Sequence, residues 1–368
     1  MATVSIFTPT LELAGGAERY VVNLSKGLSS QGYQVEVVTQ STEGPFVADL
    51  PDQVSVYSIS YPHLPILGSL TSALPLYTYF KSEKPDNFIS VMNHANIPSM
   101  IAKILSGVDT NMILTEHNNP KLLLSDKNPY QRKDRIVYKL AKHLYPRADV
   151  VVGVSEGVTD ALRNIVPSAT TTTTIYNPVV SEDITTRSEN KPSHRFFDTD
   201  VPVILGAKPE AQKNIPMLIK SFSRLIERVD ANLVVVGTGE QTELVQQQAE
   251  ELGISSSVDV CGFVPDIYPY LGSADIFAST SDWEGLPTIH IEALACGTPV
   301  VSTDCPSGPR EILRDGEYGT LVPTGDVEKF SQALEETLQS PPNEMKLLER
   351  ADDFSISKSA KQYESLLR

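Results

Sequence analysis

Residues 281–299 read SDWEGLPTIHIEALACGTP, and the rest of the chain can be arranged around them. The stretch predicts a loop that turns into a helix. Gly285 lets the backbone turn. Pro287 suits a first helical position, where its missing N–H is not needed. Gly297 closes the helix and Pro299 bars its continuation. Glu284 then hangs in the loop, while Glu292 stands about one and a half turns inside the helix, at ~3.6 residues per turn. Between the two carboxylates the N–H groups of the first turn point outward and favour an anion. Carboxylates that can bind hydroxyls, set on either side of such a helix end, suit a sugar nucleotide. Two solvated glutamates are the plainer alternative. Against it, Glu292 sits among Ile289, Ile291, Ala293, Leu294 and Ala295, where a carboxylate needs a partner.

Outward from this stretch, short β-rich apolar runs alternate with helical patterns, as in a parallel α/β protein. Strands are expected at Val4–Thr8, Val35–Thr39, Asn87–Val91, Met112–Thr115, Val150–Val154 and Thr172–Ile175, with a weaker one at Val54–Ile59. Helices are expected at Ala17–Leu28, Leu70–Phe80 and Ile97–Leu105. Residues 181–200 turn polar and lose periodicity, which reads as a linker. Alternation then restarts with strands at Val203–Leu205, Leu233–Val236, Val258–Gly262, Ile276–Ser279, Pro299–Ser302 and Thr320–Val322. Helices are expected at Ile215–Arg228, Val327–Gln339 and Ser355–Arg368. The expected organisation is residues 1–180 as one domain, 181–200 as linker, and a second domain from residue 201 onward.

A chain of 368 residues has room for two domains. Its formal net charge of −16 argues against general nucleic-acid binding, which wants a basic surface. Cys261, Cys296 and Cys305 are an odd number without metal-ligand spacing, and each lies in or beside apolar sequence. They read as packing residues in a reducing cytoplasm. No signal peptide is read at the N-terminus, and no apolar run approaches the ~20 residues of a membrane span. The 121–147 segment departs from the acidic average. It holds eight lysines and arginines against Asp126 and Asp134, interleaved with Ile136, Val137, Leu140 and Leu144. A basic amphipathic helix can lie on an anionic membrane or face an anionic acceptor. It can equally be a docked helix with a solvated face.

Three further places carry chemistry. Gly15-Gly16, between a strand and a helix, allows close approach of a ligand to backbone donors, or simply makes a tight turn. The G-x-G-x-x-G spacing of dinucleotide binders is absent. Lys208 and Lys213 follow the first strand of the second half, where open α/β sheets bind ligands. Two cations there can neutralise a departing diphosphate, or can be ordinary surface lysines. His117 ends a strand in the polar sequence Glu116-His117-Asn118, as a ligand contact or as a loop histidine. Asp198-Thr199-Asp200 resembles a metal-binding pair but lies in the expected linker, and no metal is expected. Asn23-Leu24-Ser25 fits a glycosylation acceptor but falls inside a helix.

In order and spacing these elements resemble glycosyltransferase family 4, a large retaining family with the GT-B fold. Gly15-Gly16-Ala17-Glu18-Arg19 looks like its N-terminal glycine loop, and Val154-Ser155 with Tyr176-Asn177-Pro178 falls where its first domain closes. Glu284 and Glu292 match its E-x7-E pair, and Cys305–Ile312 and Leu321–Asp326 match its downstream elements. The resemblance implies two Rossmann-like domains facing across a cleft, with Ser355–Arg368 as a C-terminal helix crossing back to the first domain, so that residues 1–180 plus 354–368 make the first domain and 201–353 the second. By it, Glu292 holds the ribose of a nucleoside-diphosphate sugar and Glu284 contacts the transferred sugar. Gly285, Leu286, Pro287 and Thr288 bring backbone groups to the donor. Phe263 and Val264 read the base, and Gly16 lies against the diphosphate or sugar. His117 stands near the sugar.

The family's usual Gly-Arg, followed by Lys five residues after the Arg, is replaced by Ala207-Lys208 and Lys213. Lysine keeps the charge but not the bidentate fork, and Pro209 stiffens the loop. The activity so implied is metal-independent retaining transfer of a hexose or N-acetylhexosamine, with no cofactor beyond the donor, which is expected to be a UDP-sugar. The implied acceptor is a glycan or lipid-linked molecule of cell-surface polysaccharide or glycoconjugate synthesis. Cytoplasmic placement is expected, with peripheral contact at an anionic inner membrane face through 121–147. The alternative is a GT-B protein that binds a nucleotide sugar with little or no transfer. An epimerase or phosphorylase on the same fold would differ in its products.

Overall fold

Valine and isoleucine runs too continuous to be half-exposed strands form two fully parallel sheets, each buried on both faces by helices. The computed structural model describes residues 2–12, 15–61, 69–125, 131–167 and 171–368. They divide into two compact units, Met1–Val179 with Ser355–Arg368, and Val180–Phe354.

The first unit contains β1 (Thr3–Phe7), β2 (Gln34–Thr39), β3 (Ser55–Ser58), β4 (Asn87–Val91), β5 (Asn111–Glu116), β6 (Val150–Gly153) and β7 (Thr172–Thr174). Their order across the sheet is β3-β2-β1-β4-β5-β6-β7. Val4, Ile6, Val37, Ile89, Ile113 and Val152 form one buried face, against Val21, Leu24 and Leu28 of the helix Gly16–Ser30. Each such side chain contributes about 1.5–3 kcal/mol when taken from water. The C-terminal helix Ile356–Glu364 joins the same core through Ala360 and Tyr363. Gly27 makes its approach feasible, because a Cβ there would stand 2.7 Å from that of Ala360 and 3.0 Å from Ile356 Cγ2. Asn111 Nδ2 donates to the Leu366 carbonyl at 2.8 Å, and Ser359 Oγ donates to that of Tyr176 at 3.0 Å. The terminal segment is therefore part of the first unit.

The second unit contains β8 (Val203–Gly206), β9 (Asn232–Val236), β10 (Val258–Gly262), β11 (Ile276–Ser279), β12 (Val300–Thr303) and β13 (Thr320–Val322), ordered β10-β9-β8-β11-β12-β13. The order reverses between β8 and β11, which pair directly with Gly206 opposite Ala278. The loops leaving these two strands are thus neighbours at the sheet's switch point, the usual ligand position in open α/β sheets.

Residues 181–200 differ from the expected linker, since they are built into the second unit. Ile184–Ser188 is a short helix whose Arg187 meets Asp266 at 2.9 Å and Asp183 at 3.2 Å. Phe196 is buried, and His194 Nε2 lies 3.4 Å from an Asp259 carboxylate oxygen. The Asp266 and Asp259 contacts are to residues some 65 to 80 positions away and leave no local periodicity to read.

Candidate functional site

The expected loop and helix of 281–299 form with small shifts. The helix is Thr288–Ala295, with Pro287 as its N-cap and Cys296 as its C-cap. Gly297 takes φ 75°, the left-handed conformation that ends helices. Glu284 precedes the helix and is 6% exposed. Its carboxylate collects three donors. Lys213 Nζ lies 2.7 Å from Oε1, Ser281 Oγ 2.7 Å from the same oxygen, and Gln212 Nε2 3.1 Å from Oε2. Gln212 Nε2 also donates to the Trp283 carbonyl at 2.7 Å. The β8 loop is further stitched to the β11 loop by Asn214 Nδ2 on Asp282 Oδ1 at 3.0 Å and by Thr280 Oγ1 on the Lys213 carbonyl at 2.9 Å. A carboxylate has about four lone-pair positions, so one remains for an incoming hydroxyl. Lys213 likewise has N–H groups beyond the one spent on Glu284. Burial works against the Lys213 charge, but the charge and hydrogen bond of Glu284 outweigh it and raise its pKa. Lys213 is a fixed cation.

Lys208 is placed differently. Its Nζ is 2.6 Å from Glu210 Oε1, with both side chains well exposed. An exposed pair of this kind is worth about 0–1 kcal/mol, so Lys208 is readily redirected to an anion.

Glu292 is half-buried on the helix wall, where Tyr268 Oη donates to Oε1 at 3.5 Å. The Arg187 guanidinium stacks 4.3 Å from the Tyr268 ring centre. Gly285, Leu286 and Pro287 are buried beneath the 305–309 turn. A Cβ on Gly308 would meet Pro287 Cδ at 2.4 Å and the Gly285 carbonyl oxygen at 3.0 Å, so only glycine admits this contact. Pro287 has no N–H, which leaves Gly285, Leu286 and Thr288 as backbone donors there. Phe263 and Val264 follow β10, and Phe263 is exposed.

In the first unit, Gly15 caps the helix that begins at Gly16, at the carboxyl end of β1. Leu13 and Ala14, between the expected first strand and Gly15, lie outside the described residues. His117 follows β5 and touches that helix through Tyr20, whose ring centre is 4.5 Å away at 81°. Burial, with a further contribution from His94, pushes the His117 pKa down to about 3. His117 is therefore a neutral hydrogen-bonding group rather than a cation. Beside it Glu116 is fully buried, with Tyr138 Oη at 3.0 Å from Oε2 and Tyr145 Oη bonded to Oε1. Burial drives its pKa up to about 7 against the opposing effect of these donors.

Tyr138 belongs to the helix Gln131–Leu144, the core of the basic segment, and Tyr145 follows directly. Tyr138, Ala141 and Tyr145 are buried, while Lys133, Arg135, Ile136, Lys139 and Lys142 are exposed. Asp126 and Lys127, and the side chain of Arg132, lie outside the described residues. Among the described residues no group of three His, Cys, Asp or Glu is arranged to hold a metal, and no helix is long and apolar enough to cross a membrane. Gln212, Ser281, Tyr268, Arg187, Tyr20 and Thr115 were not singled out by sequence. The strand-end position of Gln212 and Ser281 was the available signal.

Comparison with known proteins places this geometry in a family. Residues 14–183 match the model for glycosyltransferase family 4, and residues 186–354 match that for glycosyl transferases group 1. Between them the two models take up almost the whole chain, and the chain belongs to this family of glycosyltransferases. It is 27% identical over 345 residues to a Campylobacter jejuni N-acetylgalactosamine-N,N'-diacetylbacillosaminyl-diphospho-undecaprenol 4-alpha-N-acetylgalactosaminyltransferase, covering 92% of this chain and 91% of that one. It is 26% identical over 381 residues to a second alpha-1,4-N-acetyl-D-galactosaminyltransferase of the same organism, covering 100% and 98%. Among solved structures, Anabaena HepE in complex with UDP-glucose gives a TM-score of 0.79 at 19% identity, over 99% of both chains. The lipopolysaccharide outer core galactosyltransferase WaaB in its apo form gives 0.73 at 18%, over 100% and 99%. These neighbours give the chain the GT-B fold.

Proposed function

We propose that the chain is a retaining, metal-independent hexosyltransferase. It moves a hexose or N-acetylhexosamine from a nucleoside-diphosphate sugar, in the first instance a UDP-sugar, to a glycan or lipid-linked acceptor in cell-surface polysaccharide or glycoconjugate synthesis. The observation that carries this reading is the Lys213–Glu284 pair at the β8/β11 switch point, with one carboxylate position left for a hydroxyl and a fixed cation beside it. A relative named for an undecaprenol-linked acceptor and a fold neighbour solved with UDP-glucose support it. Glu292 holds the ribose and Glu284 a hydroxyl of the sugar. Lys213, with Lys208 released from Glu210, stabilises the departing diphosphate. The acceptor attacks from the face the diphosphate leaves, and a phosphate oxygen takes its proton. Phe263 and Val264 meet the base, and Gly285, Leu286 and Thr288 supply N–H groups beside Pro287.

No cofactor beyond the donor is required. The exposed cations of the 133–142 helix hold the enzyme at an anionic cytoplasmic membrane face. A thermal-shift screen over nucleotide sugars tests donor binding, since a ligand bound to the folded state raises apparent stability. One observation favours a second reading, a nucleotide-sugar-binding protein with weak transfer. Lys208 stands where the family's arginine is usual and is engaged by Glu210. Mass spectrometry of donor turnover separates the two.

A further inference from the structure

Glu292 owes its setting to residues far from it in sequence. The Arg187 guanidinium grips Asp266 with two prongs, Nε at 3.1 Å from Oδ2 and Nη2 at 2.9 Å from Oδ1. Such a fork fixes the plane of the guanidinium as well as its position. Asp183 holds the third nitrogen, Nη1, at 3.2 Å. Oriented in this way, the guanidinium lies over the Tyr268 ring, 4.3 Å from its centre, where a cation and a π-face attract. Asp266 Oδ1 also accepts the Tyr268 backbone N–H at 3.1 Å, so the main chain and the ring of Tyr268 are tied to one ion pair. Tyr268 is buried, and its hydroxyl reaches Glu292 Oε1 at 3.5 Å, the outer limit for such a bond. The next residue adds a second brace. A Cβ on Gly272 would stand 2.4 Å from the Ser188 carbonyl oxygen, so the helix Ile184–Ser188 presses directly on the helix Tyr268–Ser273. The Ser188 side chain also bonds the thiol of Cys296, four residues beyond Glu292 and within reach of its charge. Adjacent residues of one short helix thus hold two neighbours of the Glu292 carboxylate, and all of these residues belong to the second unit.

We propose that Arg187 is a positioning residue for ribose recognition. It fixes Tyr268, whose hydroxyl donates to one oxygen of Glu292 and so turns the carboxylate toward the ribose hydroxyls of a bound nucleotide. This deepens the transferase reading and rests on it for the assignment of ribose to Glu292. One phenol takes one of about four lone-pair positions on a carboxylate. A carboxylate already held by a donor loses less freedom when further hydroxyls arrive. A nucleotide without those hydroxyls gains nothing from the arrangement. Arg187 therefore acts on the difference in affinity between a ribonucleotide and its dideoxy counterpart, rather than on nucleotide binding as a whole.

The test is titration calorimetry of the full chain with UDP and with 2′,3′-dideoxy-UDP. Wild type is expected to bind UDP at least about tenfold more tightly than the dideoxy nucleotide, the scale of hydrogen bonds to a charged group. Two variants probe the chain of contacts. Arg187→Met removes the fork and the cation, and Tyr268→Phe keeps the ring and its stacking but not the hydroxyl. Each is expected to weaken UDP, to leave the dideoxy nucleotide unchanged, and so to lose most of the ratio. A residue that merely supports the fold would weaken both nucleotides alike. That result, or a ratio equal to wild type in either variant, overturns the proposal. Glu292→Gln locates the failure. A ratio lost in Glu292→Gln but kept in Arg187→Met refutes the role of Arg187 and spares the ribose assignment. Equal binding of the two nucleotides by wild type, or no binding of UDP, refutes the ribose assignment itself and the proposal with it.

Discussion

Lys213 Nζ stands 2.7 Å from Glu284 Oε1 across two loops that leave adjacent strands. Seventy residues separate the partners in sequence, and only the pairing of β8 with β11 brings them together. Removing one partner strands the other in a largely buried place. Lys213→Met is therefore expected to lower unfolding stability by about 3 kcal/mol, near the range for breaking a buried pair. Urea unfolding of the full chain measures it. A midpoint and slope equal to wild type would refute the account of this pair.

Lys208 presents the opposite case. Its bond to Glu210 is exposed, so Glu210→Gln is expected to change stability by less than about 0.5 kcal/mol. The same change releases Lys208 and should tighten binding of UDP, whereas Lys208→Ala weakens it with stability intact. Titration calorimetry with UDP checks both. Equal affinity in all three proteins would show that Lys208 does not face phosphate.

Glu116 makes stability depend on pH. Its folded pKa of about 7 lies above the ordinary 4.5. A raised value means that the folded state holds the proton more tightly than the unfolded chain. The favourable contribution is complete below about pH 4.5 and is lost as pH rises through about 7. Over that window wild type should lose on the order of 3 kcal/mol relative to Glu116→Gln, which does not titrate. Denaturant unfolding at pH 5 and pH 8 gives the comparison, and a pH-independent difference between the two proteins would remove the assignment.

The helix from Gln131 docks through Tyr138, with Tyr145 just beyond it, and leaves Lys133, Arg135 and Lys139 in solvent. Reversing these three charges should reduce flotation with phosphatidylserine vesicles, and the loss should shrink at high salt. Partitioning that matches wild type at low salt would exclude this helix as a membrane contact.

The parallel sheets, the helix after Glu284 and the helical character of the C-terminal segment were legible because each rests on local signals, whereas that segment's joining to the first unit was implied only by the family resemblance. Those signals are unbroken apolar runs, a Gly-Leu-Pro entry, a glycine exit and periodic spacing. What was not legible rests on distant partners. Gln212 and Ser281 look like ordinary loop residues until the β8 and β11 loops meet. The 181–200 segment looks like a linker because Arg187 is held by Asp266 and stacked on Tyr268, far along the chain. In the basic helix, Ile136, Val137, Leu140 and Leu144 catch the eye as the apolar stripe, yet Ile136 is 62% exposed. The buried face is carried by tyrosines, because Glu116 beneath it needs hydroxyl donors.

The central claim is that Glu284 contacts the sugar of a bound nucleotide sugar during transfer, and mass spectrometry of transfer tests it most directly. The full chain is incubated with each UDP-hexose and UDP-N-acetylhexosamine and a polyprenyl-diphosphate-linked oligosaccharide. Wild type should add one sugar mass to the acceptor. Glu284→Ala should lose at least about a hundredfold in rate, the scale of removing one charge-stabilising group, while still folding and binding UDP. Transfer by Glu284→Ala at the wild-type rate would contradict the account.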